Sequence, residues 1–174
     1  MFIIGYMASG KTTFGRALAR RTGHEFIDLD FYIEQRFRKS IADIFAEKGE
    51  DEFRRIEAAM LREAGEFENT VVSCGGGTPC FHDNMNYMLS RGDVIWLEAS
   101  PERITERLII NNARRPLMRG KTPEEIRHSV EEGLATRHKW YSLANIRFNG
   151  EHLEDKLQID TSVTNFLQTY KFSK

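Results

Sequence analysis

Little in this chain points away from an ordinary folded body. Only two cysteines, Cys74 and Cys80, occur in 174 residues, and neither has Cys or His companions at zinc-site spacing. A disulfide scaffold and a structural zinc site are excluded, and free thiols in a reducing compartment are expected. No apolar run approaches the roughly 20 residues that span a bilayer, and the few apolar residues before Gly5 are too short for a secretory leader. The expected address is therefore the cytoplasm, with no membrane partner. Excess charge is missing too, because 25 basic residues against 26 acidic ones leave a formal net charge of -1. No global field draws the chain to nucleic acid, and any positive potential must be local. Repeats, Pro- or Ser-rich linkers and low-complexity tracts are also absent, so residues 1–174 are expected to form a single domain, working as a monomer.

What is present begins at once. Gly5-Tyr6-Met7-Ala8-Ser9-Gly10-Lys11-Thr12 satisfies the spacing G-x-x-x-x-G-K-[ST]. An apolar run, Phe2-Ile3-Ile4, precedes it, and Phe14, Ala17 and Leu18 follow at helical spacing up to Gly23. Strand, glycine loop and helix form the context in which backbone N–H groups at a positive helix end cradle phosphates. In that context Lys11 reaches the β- and γ-phosphates and the Thr12 hydroxyl sits on Mg²⁺.

Further apolar runs alternate with helical patterns. Glu25 to Asp30 reads as a strand ending in two aspartates, Thr70 to Cys74 as a strand running into Gly75-Gly76-Gly77, and Asp93 to Leu97 as another. Helical periodicity marks Phe31 to Arg38, Ile41 to Lys48 and a longer stretch from about Asp51 carrying Phe53, Ile56, Met60 and Ala64. Ser100-Pro101 starts a helix, and Thr122-Pro123-Glu124-Glu125 starts another with a capping box. Ile146 to Phe148 reads as a last strand, and Ile159, Val163, Phe166 and Tyr170 outline a closing helix. This order predicts an α/β fold with a mostly parallel sheet covered on both faces, its ligands beyond the carboxyl ends of the strands.

That rim collects the residues able to do chemistry. If Asp28 and Asp30 are extended, they face the same way: one can hold a metal through water while the other takes a hydroxyl proton. Alternatively, Asp30 caps the helix that follows and Asp28 is merely solvated. Arg54 is either held by Glu57 three residues on for a ligand, or paired with it on the surface. Arg137 falls on the inward stripe of Ile126, Val130, Leu134 and Tyr141, where a guanidinium is costly unless an anion meets it. Two arginines converging on one carboxylate would account for both. The three glycines are either a turn or a surface for a ligand lying against the main chain. Asn111 to Lys121, with Arg114, Arg115 and Arg119, reads as a basic loop, either a solvated surface or a mobile lid over about 111–122 that brings Arg115 to a transferring phosphoryl group.

Taken together, these motifs resemble the shikimate kinases, a branch of the P-loop kinases. The resemblance rests on the Gly5 to Thr13 loop, Phe26-Ile27-Asp28-Leu29-Asp30, Phe53-Arg54-x-x-Glu57, Gly75-Gly76-Gly77, Arg115-Pro116-Leu117 and Arg137-x-x-x-Tyr141. It implies a three-layer α/β/α fold with a five-stranded sheet, and an enzyme moving the γ-phosphoryl group of ATP to the 3-hydroxyl of shikimate. ATP would lie on Ala8, Ser9, Gly10, Lys11, Thr12 and Thr13, with Arg107 stacked on adenine. Mg²⁺ would sit on Thr12 and, through water, on Asp28. Shikimate would meet Asp30, Arg54, Arg137 and the Gly75, Gly76 and Gly77 turn, with Lys11, Asp30 and Arg115 catalytic. The region from Asn149 to Asp160-Thr161 departs from the family pattern, so adenine contacts there are unassigned. Two other readings fit the same residues: a gluconate-type kinase of a carboxylated polyol, and a nucleotide-binding module without turnover.

Overall fold

A computed structural model describes residues 1–110 and 120–170. Five strands form its centre: β1 (Phe2–Ile4), β2 (Glu25–Asp28), β3 (Thr70–Ser73), β4 (Val94–Glu98) and β5 (Ile146–Asn149). They lie in the order β2-β3-β1-β4-β5, and every neighbouring pair is parallel. The helices are α1 (Lys11–Thr22), α2 (Leu29–Phe37), α3 (Ile41–Gly65), α4 (Asn84–Arg91), α5 (Pro101–Ile110), α6 (Pro123–Tyr141) and α7 (Lys156–Thr169). Among the described residues, no helix is long and apolar enough to cross a membrane.

Side chains alternate across β1, and that alternation divides the core in two. Phe2 and Ile4 join Val72, Val94 and Trp96 beneath α2 to α6, with Leu29, Ile44, Met88, Ile104 and Ile126. Ile3 joins Val71, Ile95 and Leu97 beneath α1 and α7, with Phe14, Leu18, Val163 and Phe166. Each strand residue of β1 is at most 3% exposed, and full burial of such a side chain stabilises by about 1.5 to 3 kcal/mol. The result is three layers, helix on sheet on helix, with the carboxyl ends of the strands opening on one rim.

Local chemistry sets the element ends. At Thr122 the hydroxyl accepts from Glu125 N at 3.2 Å while the Glu125 carboxylate accepts from Thr122 N at 2.7 Å, the capping box expected there. The kink in α3 falls at Gly49 (φ 77°, ψ 172°), which separates the two helical arms read from the sequence as Ile41 to Lys48 and a later helix. One expectation is corrected. The second strand ends at Asp28 rather than Asp30, because the Asp28 carboxylate accepts from Phe31 N at 3.3 Å and caps α2. Asp30 therefore belongs to the first turn of a helix, and alternation along an extended strand is not what relates the two aspartates. The alternative cap, Asp30, is not the cap either. Neither the short 3₁₀ turn at Thr78–Cys80 nor α4 is among the elements read from the sequence. The expected lid, with Arg115, lies outside the described residues except for residues 120–122.

Candidate active site

Between β1 and α1 the backbone turns through Ala8 (φ 61°) and Gly10 (φ 98°). Position 10 favours glycine because its φ is left-handed; a Cβ there would also stand 2.5 Å from Leu153 Cδ1, displacing the end of that side chain. Gly10 caps α1 without a side-chain bond, and the first turn of α1 holds no acidic residue. The start of α1 therefore carries no carboxylate of its own to repel an anion drawn to the positive helix end. Lys11 is 8% exposed and donates from Nζ to Tyr6 O at 2.7 Å, folded back along the loop that it would otherwise reach beyond.

Across from the loop stand the two aspartates. The Thr12 hydroxyl donates to Asp28 Oδ2 at 2.7 Å, so the pair forms a compact set of hard oxygen donors. Asp30 is open to the cavity, but protein surrounds it, and its carboxyl is pushed up from 3.8 to about 6. Desolvation is the first cause; the neighbouring Asp28 and Glu57 carboxylates add to it, and Lys11 opposes it. A cavity of about 550 Å³ joins Ala8, Gly10, Lys11, Thr12, Thr13, Asp28, Asp30, Gly75, Gly76 and Arg107. Most of the expected site residues thus line one space.

Arg54, Arg137 and Gly77 do not line that space; they stand around the glycine turn that borders it. The turn works by close approach. A Cβ at Gly75 would lie 2.8 Å from Asp30 Oδ1, and one at Gly77 would lie 2.8 Å from both Nη atoms of Arg54. Gly76 O accepts from the Tyr141 hydroxyl at 2.6 Å, which ties the last turn of α6 to the glycines. One helical turn earlier, the Arg137 guanidinium lies over the Tyr6 ring at 5.0 Å. Among the described residues, its buried Nη1 has no hydrogen-bond partner, a cation with a donor left over. Burial pushes the Tyr6 and Tyr141 hydroxyls up, and the neighbouring Arg137 charge opposes it.

Some contacts here carry no signal in the sequence, and some residues carry none at all. Glu57 is 1% exposed and accepts from Arg54 Nη1 at 2.8 Å and from the Thr78 hydroxyl at 2.6 Å, so the surface-pair reading of Arg54 gives way to a buried one. Its F-R-x-x-E spacing pointed to the pairing but not to the burial. Tyr6, an unspecified position of the phosphate-loop pattern, and Phe81, a lone aromatic after the turn, were not singled out. Arg107 donates to Ala8 O (3.3 Å), Ser9 O (3.1 Å), Gly150 O (2.9 Å) and Glu151 O (3.1 Å), and pairs with Glu154 at 2.7 Å. It joins the phosphate loop to the segment after β5 at the edge of the cavity, where Leu153 and Glu154 also lie.

Comparison with known proteins agrees with this architecture. The shikimate kinase family model matches residues 7–170. A shikimate kinase of Phocaeicola vulgatus is 49% identical over 163 residues, spanning 94% of this chain and 93% of that protein. The crystal structure of shikimate kinase from Bacteroides thetaiotaomicron superposes with a TM-score of 0.95 at 43% identity, covering 98% of this chain and 97% of that one. Shikimate kinase from Acinetobacter baumannii, solved in complex with shikimate, gives a TM-score of 0.82 at 28% identity, covering 97% and 90%. The phosphate loop, the paired aspartates and the arginines around three glycines thus belong to a chain that is a member of the shikimate kinase family.

Proposed function

We propose that this chain is a cytoplasmic, ATP-dependent kinase that transfers the γ-phosphoryl group of ATP to the 3-hydroxyl of shikimate, acting as a single-domain monomer. The observation that carries the choice of acceptor is the unpartnered, buried Nη1 of Arg137 beside the glycine turn that also borders Arg54 and Asp30. An acceptor with one carboxylate and several ring hydroxyls satisfies all three groups.

In this reading the ATP phosphates rest on Ala8, Ser9, Gly10, Lys11, Thr12 and Thr13. Lys11 exchanges its bond to Tyr6 O for phosphate oxygens, which costs little because one acceptor replaces another. Asp30, ionised above about pH 6, takes the proton of the attacking hydroxyl and keeps its oxygen aimed at phosphorus. Arg54 and Arg137 hold the acceptor's carboxylate, and Gly75, Gly76 and Gly77 let its ring lie against the backbone. Positioning and charge neutralisation supply most of the rate. Arg115 is assigned to the transferring group, and Arg107 to the base, by family resemblance.

Thr12 and Asp28 fit Mg²⁺. Two hard oxygens within hydrogen-bond distance, in a cavity with room for phosphate and water, are what that ion takes from a kinase. When bound, the ion neutralises charge on the phosphates. Among the described residues no three His, Cys, Asp or Glu side chains converge as a metal cage, so phosphate oxygens would complete the shell.

Offering shikimate and gluconate separately with MgATP, and following ADP release, tests the assignment. Turnover with shikimate alone is expected. A response only to gluconate would overturn the choice of acceptor, and no response to either would favour a binding module, although Lys11 and Asp30 are both present.

A further inference from the structure

Arg54 is held far more tightly than an arginine on a helix surface needs. Glu57 takes Nη1, and Glu50 accepts from Nε at 3.3 Å and from Nη2 at 3.1 Å, so two edges of the guanidinium are occupied. Both Nη atoms remain beside Gly77, and each keeps a second N–H for a ligand. The flat face is occupied as well. The Phe81 ring centroid lies 4.3 Å from Arg54 Cζ, nearer than Phe53 (5.3 Å) or Phe45 (5.7 Å).

Phe81 is 37% exposed, so it contributes little to the core. Its backbone is nevertheless fixed from several sides. Phe81 O accepts from Asn84 N at 2.9 Å, and Asn84 Nδ2 donates to Thr78 O at 2.9 Å. Arg62, two turns along α3 from Arg54, donates to Asn84 Oδ1 at 3.0 Å and to His82 O at 3.1 Å. The next two residues, His82 (φ 48°) and Asp83 (φ 58°), occupy the left-handed region, a local cost that the fold sustains at this point. The charged group that lies over this part-exposed ring, held on a bolted loop, is the Arg54 guanidinium.

We propose that Phe81 is a positioning residue for the acceptor's carboxylate: its ring caps the Arg54 guanidinium and keeps the two Nη donors turned to the glycine side. The inference rests on the carboxylate role given above to Arg54. A cation over an aromatic face is attracted by the ring quadrupole, and a stacked guanidinium loses less freedom when it binds an anion. Phe81 itself touches no reacting atom, so it acts on binding rather than on phosphoryl transfer.

Steady-state kinetics of Phe81→Ala, Phe81→Leu and Phe81→Trp, with Arg54→Lys alongside, test this. Phe81→Ala should raise the KM for shikimate roughly 3- to 10-fold, leaving kcat and the KM for ATP within about two-fold. Phe81→Trp should restore the KM, whereas Phe81→Leu, similar in bulk but without a ring, should not. With shikimate methyl ester, whose carboxylate is masked, the change in kcat/KM on Phe81→Ala should vanish. An unchanged KM in Phe81→Ala, full function in Phe81→Leu, or an equal loss with acid and ester would each overturn the proposal. If Arg54→Lys raises KM while Phe81→Ala does not, the positioning role alone fails; if Arg54→Lys is also silent, the carboxylate clamp fails with it.

Discussion

A carboxyl group lining a cavity, with other carboxylates beside it, gives up its proton less readily than one in water, and for Asp30 the change falls at about pH 6. In the proposed role of proton acceptor it must be ionised, so kcat/KM for the free enzyme should fall as pH drops through about 6, which a pH–rate profile checks. Stability runs the other way. Because the folded pKa lies above the unfolded value of 3.8, burial opposes the ionised form, and that cost is present above about 6 and relieved as pH falls towards 4. Asp30→Asn should accordingly lose roughly 100- to 10,000-fold in turnover, while its Tm at neutral pH stays level or rises. A fall of many degrees would show that the carboxylate supports the fold. Arg137 is a binding residue in this scheme. Arg137→Ala should raise the shikimate KM roughly 10- to 100-fold with a smaller effect on kcat, as expected for a charge-assisted bond of about 1.5 to 3 kcal/mol. Unaltered kinetics would remove it from the clamp.

Helix α6 shows how an element carries such a residue to its place. Its start is written in sequence, Thr122 and Glu125 closing a capping box, and its end brings Arg137 and Tyr141 to the glycine turn. Thr122→Ala should cost about 1 kcal/mol, lowering Tm by roughly 2 to 4 °C, without changing the KM for shikimate, since packing of Ile126 and Val130 holds the far end. Calorimetry and kinetics on the one variant would separate these effects. Elements with a buried apolar stripe or a good cap were legible from residues alone, as were β1, the two arms of α3 and the loop before α1. Helix α4 was not: its cap position, Asp83, is left-handed and its carboxylate accepts from the Asn86 side chain rather than from a backbone N–H of the first turn, and its buried stripe rests on Met85 and Met88 within eight residues. The Asp28 and Asp30 pair was legible as a site but not in its geometry, because a single cap bond decides where strand yields to helix. Burial of Glu57 depends on Thr78 and Arg54 meeting it in space, and no local pattern records that.

Over the whole molecule, the two halves of the site are assembled by different layers. The phosphate loop leads into α1 on one face, whereas Arg54 and Arg137 come from α3 and α6 on the other, and the ends of β1 and β3 lie between them. Shikimate binds N and not U, so at about 100 times its Kd it should add about 2.7 kcal/mol, a rise in Tm of roughly 5 to 10 °C for a chain of this size. Differential scanning calorimetry with and without shikimate measures this directly, and no shift at saturating ligand would contradict a preformed acceptor site. Arg107 sets a further condition on any mutational study of the nucleotide side. One guanidinium there answers four main-chain carbonyls from segments at opposite ends of the chain, so truncating it strands those oxygens and unlaces two loops together. A weakened affinity for ATP in such a variant would report collapsed scaffolding, and no stacking energy for the purine could be extracted from it.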